Sequence, residues 1–284
     1  MSFVVPGPHY PDSDLPSFAI AYQPIVNLQY RSIAAYEALI RGTDGTPYPQ
    51  LVADMDAGTL RRFHHMTSAE AIRCAVSLGL SYRKASLTIN LQPDLHPLAL
   101  NASFLRDVAH RCGLPTNRIV IELTEDHRLS PAQLSEILAG NRAAGFASAM
   151  DDFGAGYSGL TALVSTPPEI LKLDRALVTD IDTHATKQKI VRAFVNICNS
   201  LGIVLIAEGV ETIEECRTLR QLGIKLIQGY FFSKPIVGSL RSFEDCIASQ
   251  SNGTARRQRV REDSDLFVGG QGAFTASTPQ ARIA

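Results

Sequence analysis

The sequence predicts an α/β fold, a βα barrel that is irregular at its start. From residue 18 onward, short runs rich in Ile, Val and Leu alternate with longer segments of helical period, the pattern of successive βα units around a mostly parallel sheet. Eight such runs are present. The first two are separated only by "NLQYR", too short for a right-handed helical crossover, so they are expected to pair antiparallel.

The elements follow in order. "FAIAYQPIV" and "SIAAYEALIR" form the opening pair, and a helical segment over 60–79 leads to "SLTINLQ". After "RIVIELTE", the stretch "SPAQLSEIL" starts a helix over 131–144, with Ser130 as N-cap and Pro131 at the first helical position, where its missing N–H costs nothing. "FASAMDDF" and "EILKLD" come next, followed by a helix over 186–201. "IVLIAEGVE", a helix over 212–222 and "KLIQGYFF" complete the series. Gly202 and Gly223 fall just past helix ends, where a left-handed residue is wanted.

A chain of 284 residues with 45% hydrophobic residues can bury a substantial core, and one large domain is expected. Lys and Arg number 27 against 28 Asp and Glu, so no overall field selects a nucleic-acid polymer or an anionic membrane. An anionic ligand has to be held locally. Cys74, Cys112, Cys198, Cys216 and Cys246 include no CxxC pair and are odd in number, which argues against a disulfide framework or a cysteine zinc site and for a cytoplasmic setting. Residues 1–17, broken by prolines at 6, 8, 11 and 16, read as an N-terminal arm without a leader. No apolar stretch approaches the roughly 20 residues that a membrane-spanning helix requires. Residues 251–284 lose all periodicity and read as a flexible tail; Arg256, Arg257, Arg259 and Arg261 read as solvated, with a phosphate or lipid contact as the alternative.

Polar residues recur at the strand exits: Glu37, Asn90, Glu122, Asp151, Lys172, Glu208 and Gln228, about one βα unit apart after a longer first step. In a closed barrel these ends converge on one face, so the groups would meet on one rim. Any one of them alone reads equally well as a solvated strand end or half of an ion pair. Together, Glu37, Asn90, Glu122, Asp151 and Asp152 would repel or lack partners unless cations joined them. Such oxygen donors favour hard ions such as Mg²⁺ or Mn²⁺, and adjacent aspartates let one carboxylate bridge two ions while its neighbour holds one. Two ions about 3.5 to 4 Å apart are the arrangement used for phosphodiester cleavage.

"YEALIR", "INLQ", "IELTE", "DDFGAGYSGL", "LKLDR", "AEGVET" and "QGYFFSKP" resemble, in order, the motifs of EAL-domain cyclic di-GMP phosphodiesterases. The resemblance implies a modified TIM (βα)8 barrel with an antiparallel first strand over residues 18–250, and hydrolysis of cyclic di-GMP to linear pGpG with two Mg²⁺ or Mn²⁺ ions. It implies Glu37, Asn90, Glu122 and Asp151 as ligands of one metal, with Asp151 bridging to a second that Asp152 and, directly or through water, Glu208 hold. Lys172 resembles the residue that positions the attacking water and takes its proton, which requires a lowered pKa; the alternative is a salt bridge to Asp174. Glu211 and Gln228 resemble groups that orient water and ligands, and Arg41 the phosphate-contacting arginine. Leu39, Asp174, Gln228 and Pro235 join the nucleotide contacts, as does Gln23, whose alternative is an ordinary strand-end amide. Glu125 resembles the acid that clamps the loop after Asp152, where Gly154 and Gly156 give backbone freedom. A homodimer, and regulation through it, through a protein partner or by substrate supply, are implied as well.

The chain departs from the family where many members have Trp after the signature arginine: here Gly42 and a compressed "GTDGTPYPQLVADM" follow. That touches one guanine wall and no metal ligand. "GAG" after Asp152 does not make a dinucleotide fingerprint, which needs GxGxxG opening a helix after the first strand. His64 and His65, adjacent on a helix, point about 100° apart and cannot chelate together; His127 reads as surface. Two rival readings are a catalytically silent cyclic di-GMP receptor acting through a partner, and another metal-dependent barrel enzyme such as a lyase using Lys172.

Overall fold

The computed structural model describes residues 15–91, 98–124, 129–154, 163–164 and 166–248. Most of the expected N-terminal arm, the tail over 251–284, Glu125, Gly156 and His127 lie outside the described residues.

β1 (Phe18–Asn27) and β2 (Ser32–Gly42) run antiparallel, from Phe18 opposite Gly42 to Asn27 opposite Ser32. The turn between them is held by Asn27 Oδ1, which accepts from the backbone N–H of Gln29 and Tyr30. From β2 the sheet continues parallel through β3 (Ser86–Leu91), β4 (Ile119–Thr124), β5 (Ala147–Phe153), β6 (Ile170–Leu173), β7 (Val204–Ala207) and β8 (Leu226–Ile227). β8 then pairs antiparallel with Val26 and Asn27 of β1, which closes the barrel. A short β9 (Ile236–Val237) lies farther along the same edge, opposite Ala21 and Tyr22.

The last two strands are shorter than the apolar runs suggest. Val210 donates its N–H to the Gln228 carbonyl and accepts from the Phe231 N–H, so the chains beyond β7 and β8 cross instead of extending side by side. Gly229 permits the crossing: a Cβ there would come within 2.0 Å of the Val210 carbonyl oxygen.

The helices among the described residues include α1 (Tyr48–Leu51), α2 (Ala57–Ser77), α3 (Leu98–Arg111), α4 (Pro131–Ala143), α5 (Arg175–Val178), α6 (Ala185–Leu201), α7 (Ile213–Leu222) and α8 (Phe243–Ala248). Ser130 caps α4 through a capping box with Gln133, and Thr212 caps α7 in the same way with Glu215. Gly202 and Gly223 end α6 and α7 at φ 71° and 101°, as their positions in the sequence require. No helix of the described residues is long and apolar enough to cross a membrane.

Side chains pointing out of the barrel make two cores. Phe63, Ile72, Leu105 and Ile137 pack helices α2 to α4 against one half of the sheet, and Val191, Cys216 and Leu219 pack α6 and α7 against the other. Inside, Ile25, Ala35, Val120, Ala149, Ile170, Ile206 and Leu226 form a separate apolar plug. Strand side chains alternate with period two, so the next inward position on each strand lies one layer nearer the C-terminal rim.

Candidate active site

That next layer is polar on every strand. Two residues beyond the plug come Glu37, Glu122, Asp151, Lys172, Glu208 and Gln228, and on the antiparallel β1 the equivalent step leads back to Gln23. Asn90 on β3 lies opposite Glu122 in the strand register. The strand-exit residues picked out in the sequence are therefore brought together, for the reason of alternation.

Asp152 needs a further device, because adjacent strand residues face opposite ways. The β5–β6 register shifts between Met150 and Phe153, and Asp152 adopts φ 55°, a left-handed conformation that Asp tolerates better than most residues. Asp151 and Asp152 can then share one site. Glu37, Glu122 and Asp151 offer oxygens all within 4.8 Å of one another, and Asp151, Asp152 and Glu208 form a second such group. Asp151 belongs to both.

Two amides orient Glu37: Asn90 Nδ2 donates to its Oε1 at 2.9 Å and Gln228 Nε2 to its Oε2 at 2.6 Å. Gln228 Nε2 also reaches Gln23 Oε1, while Gln23 Nε2 donates to the Ser233 carbonyl. Lys172 Nζ sits amid the acids, 2.7 Å from Glu208, 3.0 Å from Glu122, 3.2 Å from Asp151 and 3.6 Å from Glu37. Burial pushes its ammonium down, but the charges of Glu122, Glu208, Glu37 and Asp151 outweigh it, and its pKa stands well above the ordinary lysine value. The lowered value that proton acceptance asks of Lys172 is not what this carboxylate cage alone produces. No ion pair with Asp174 forms; Asp174 instead accepts from the Ala176 N–H and caps α5.

Burial raises the Glu122 carboxyl against the pull of Lys172, with Glu37 and Asp151 adding to the rise, and burial raises Glu208 likewise. Asp152 is pushed up to about 6, by burial first and then by the charges of Asp151 and Asp174. Both Glu122 oxygens and Gln228 Oε1 are buried without a well-directed hydrogen-bond partner among the described residues. Hard divalent cations fit this donor set: all oxygen, largely buried, and short of positive charge.

The cluster floors a cleft of about 300 Å³, whose walls include Gln23, Leu39, Glu211 and Gln228. Asn90 and Glu122 stand behind Glu37 and Lys172, and Arg41, Asp174 and Pro235 are not among the wall residues. Arg41 donates to the neighbouring Ile40 carbonyl. Arg175 and Tyr230 line the cleft without having been singled out in the sequence. Each lies inside a motif, Arg175 closing "LKLDR" and Tyr230 within "QGYFF", but neither breaks an apolar run as a strand-exit carboxylate does. His64 and His65 stay outside the site: His64 is buried against Tyr48 Oη at 2.7 Å, and His65 stacks on Phe104.

Fold and cluster together define a closed βα barrel whose C-terminal rim is suited to divalent cations. The chain belongs to the EAL domain family, whose sequence profile matches residues 13–235. The modified TIM barrel with an antiparallel first strand is the fold observed. The chain is 34% identical over 238 residues to the cyclic di-GMP phosphodiesterase RocR of Pseudomonas aeruginosa, a match covering 77% of this chain and 57% of that protein. A standalone versatile EAL protein from Vibrio cholerae O395, solved in its c-di-GMP-bound form, superposes with a TM-score of 0.75 at 32% identity over 79% of this chain and 94% of that one. Klebsiella pneumoniae BlrP1, solved with manganese and cyclic diGMP, gives a TM-score of 0.75 at 37% identity, covering 83% and 59%. The chain spans from about a third to somewhat over half the length of the first curated relatives it matches.

Proposed function

We propose that this chain is a metal-dependent phosphodiesterase that hydrolyses cyclic di-GMP to linear pGpG. The observation that carries the reading is the pair of oxygen clusters sharing Asp151 on the floor of an open cleft. Five carboxylates, Glu37, Glu122, Asp151, Asp152 and Glu208, face one ammonium, so four negative charges are uncompensated when all are ionised. Two Mg²⁺ or Mn²⁺ ions balance that charge.

In this reading Glu37, Asn90, Glu122 and Asp151 would hold one ion, and Asp151, Asp152 and, directly or through water, Glu208 the other. Bound there, the ions supply positive charge that neutralises the phosphodiester and favours ionisation of the attacking water. The water oxygen bonds to phosphorus as the bond to the ribose 3′ oxygen breaks, and that oxygen leaves with a proton. Gln228 and Asn90 keep Glu37 in its rotamer. Lys172 positions the water and can take its proton only where the carboxylates no longer hold the ammonium charged. Residues 18–250 are the catalytic domain, working as a cytoplasmic homodimer whose signal arrives through the dimer or a protein partner.

Incubation of the purified protein with cyclic di-GMP and Mn²⁺ or Mg²⁺, followed by chromatography, should yield pGpG, and Glu37→Ala should abolish it. Tight binding without pGpG would replace the enzyme reading with that of a silent receptor. Absence of binding would exclude both.

A further inference from the structure

Five acids line the cleft: Glu37, Asp151, Asp152, Glu208 and Glu211. Among the described residues that line it, only Lys172 and Arg175 are cations, and Lys172 is buried among four carboxylates. Arg175 stands at the mouth with its side chain 58% exposed and Nη2 at 2.8 Å from Glu211 Oε1. Its aliphatic stem lies across Gly209, where a Cβ would come within 2.6 Å of Arg175 Cγ. Gly209 at φ 68° turns the chain after β7 away and leaves room for those methylenes. Glu211 is held in turn, since its backbone N–H donates to Glu215 Oε2 at 2.8 Å. The arginine is thus fixed at both ends, by α5 and by the segment after β7.

A cyclic dinucleotide brings two phosphodiester charges toward this mouth, where Glu211 and Asp152 would repel them. A guanidinium carries five N–H donors in a fork that matches two phosphate oxygens, and the Glu211 contact is made through Nη2. We propose that Arg175, braced by Glu211, is a substrate-binding residue that engages a phosphodiester of the entering nucleotide. The assignment rests on the cyclic di-GMP reading above.

Steady-state hydrolysis of cyclic di-GMP with Mn²⁺, measured for wild type, Arg175→Ala and Arg175→Lys, tests it, with thermal melting to verify folding. Loss of one charge-assisted contact at a half-exposed position should raise KM on the order of tenfold for Arg175→Ala. Its kcat should stay within about threefold, since the contact is made to substrate and transition state alike. Arg175→Lys should fall between, keeping the charge and losing the fork. A lower kcat at unchanged KM, or no change in either, overturns the assignment and leaves the hydrolysis reading standing. No turnover by wild type sinks that reading, and the assignment with it.

Discussion

At the scale of single residues, the adjacent aspartates and the buried lysine govern the site. Asp151 points inward by ordinary strand alternation, whereas Asp152 reaches the same cluster only because the ladder is broken and φ is 55°. Such a conformation costs about 1–3 kcal/mol and is kept because the surroundings demand it. Lys172 is the internal counter-ion of the metal-free cluster. Lys172→Met fills similar space but leaves the carboxylates uncompensated, so urea denaturation of the metal-free protein should show a loss of about 3–5 kcal/mol. Added Mn²⁺ should recover part of it. Unchanged stability would mean that the cluster does not depend on the ammonium.

At the scale of elements, most of the barrel was legible because burial on both faces of a parallel sheet produces the apolar runs, and the caps carry residue types with local reasons. Helix α4 begins at Pro131, as Ser130 and Pro131 indicate. The length of β8 was not legible: "KLIQGYFF" is apolar enough for a long strand, yet only Leu226–Ile227 pair. What shortens it is the crossing at Gly229, a contact with Val210 that no local pattern contains. A methyl at Gly229 meets backbone atoms, which cannot swing aside as a flexible side chain would. Gly229→Ala should therefore cost at least about 3 kcal/mol, or prevent folding, and should disturb Gln228 and Glu211 in the cleft. Expression level and denaturation midpoint measure this.

At the scale of the whole molecule, the chain's near balance of charge conceals a concentrated deficit at one end of the barrel. Divalent cations that bind only the folded state should stabilise it by about 2.7 kcal/mol at a hundredfold excess over Kd. For a domain of this size that is roughly 5–10 °C in Tm, which a chelator should reverse. The gain should be smaller at pH 5 than at pH 7.5. Asp152, raised to about 6, carries a proton below that value, and a ligand carboxylate must lose it. The sign for the metal-free protein is opposite: a raised carboxylate pKa means that the folded state binds more protons than the unfolded one. Its stability should fall as pH rises from the ordinary carboxylate value through about 6. A pH-independent Mn²⁺ shift in Tm would contradict this account.

The sequence by itself determined the eight barrel strands, the helices α2, α4, α6 and α7 though not α3 (Leu98–Arg111), the antiparallel opening pair and the polar residues at the strand exits. Each of these is written in local periodicity or in a connection too short to cross over. Tertiary structure alone decided which exits share a layer, how Asp152 turns beside Asp151, and that Arg175 and Tyr230 flank the cleft. Those depend on closure of the sheet, on a register break and on the meeting of segments far apart in the chain, and no spacing along the sequence encodes such distances.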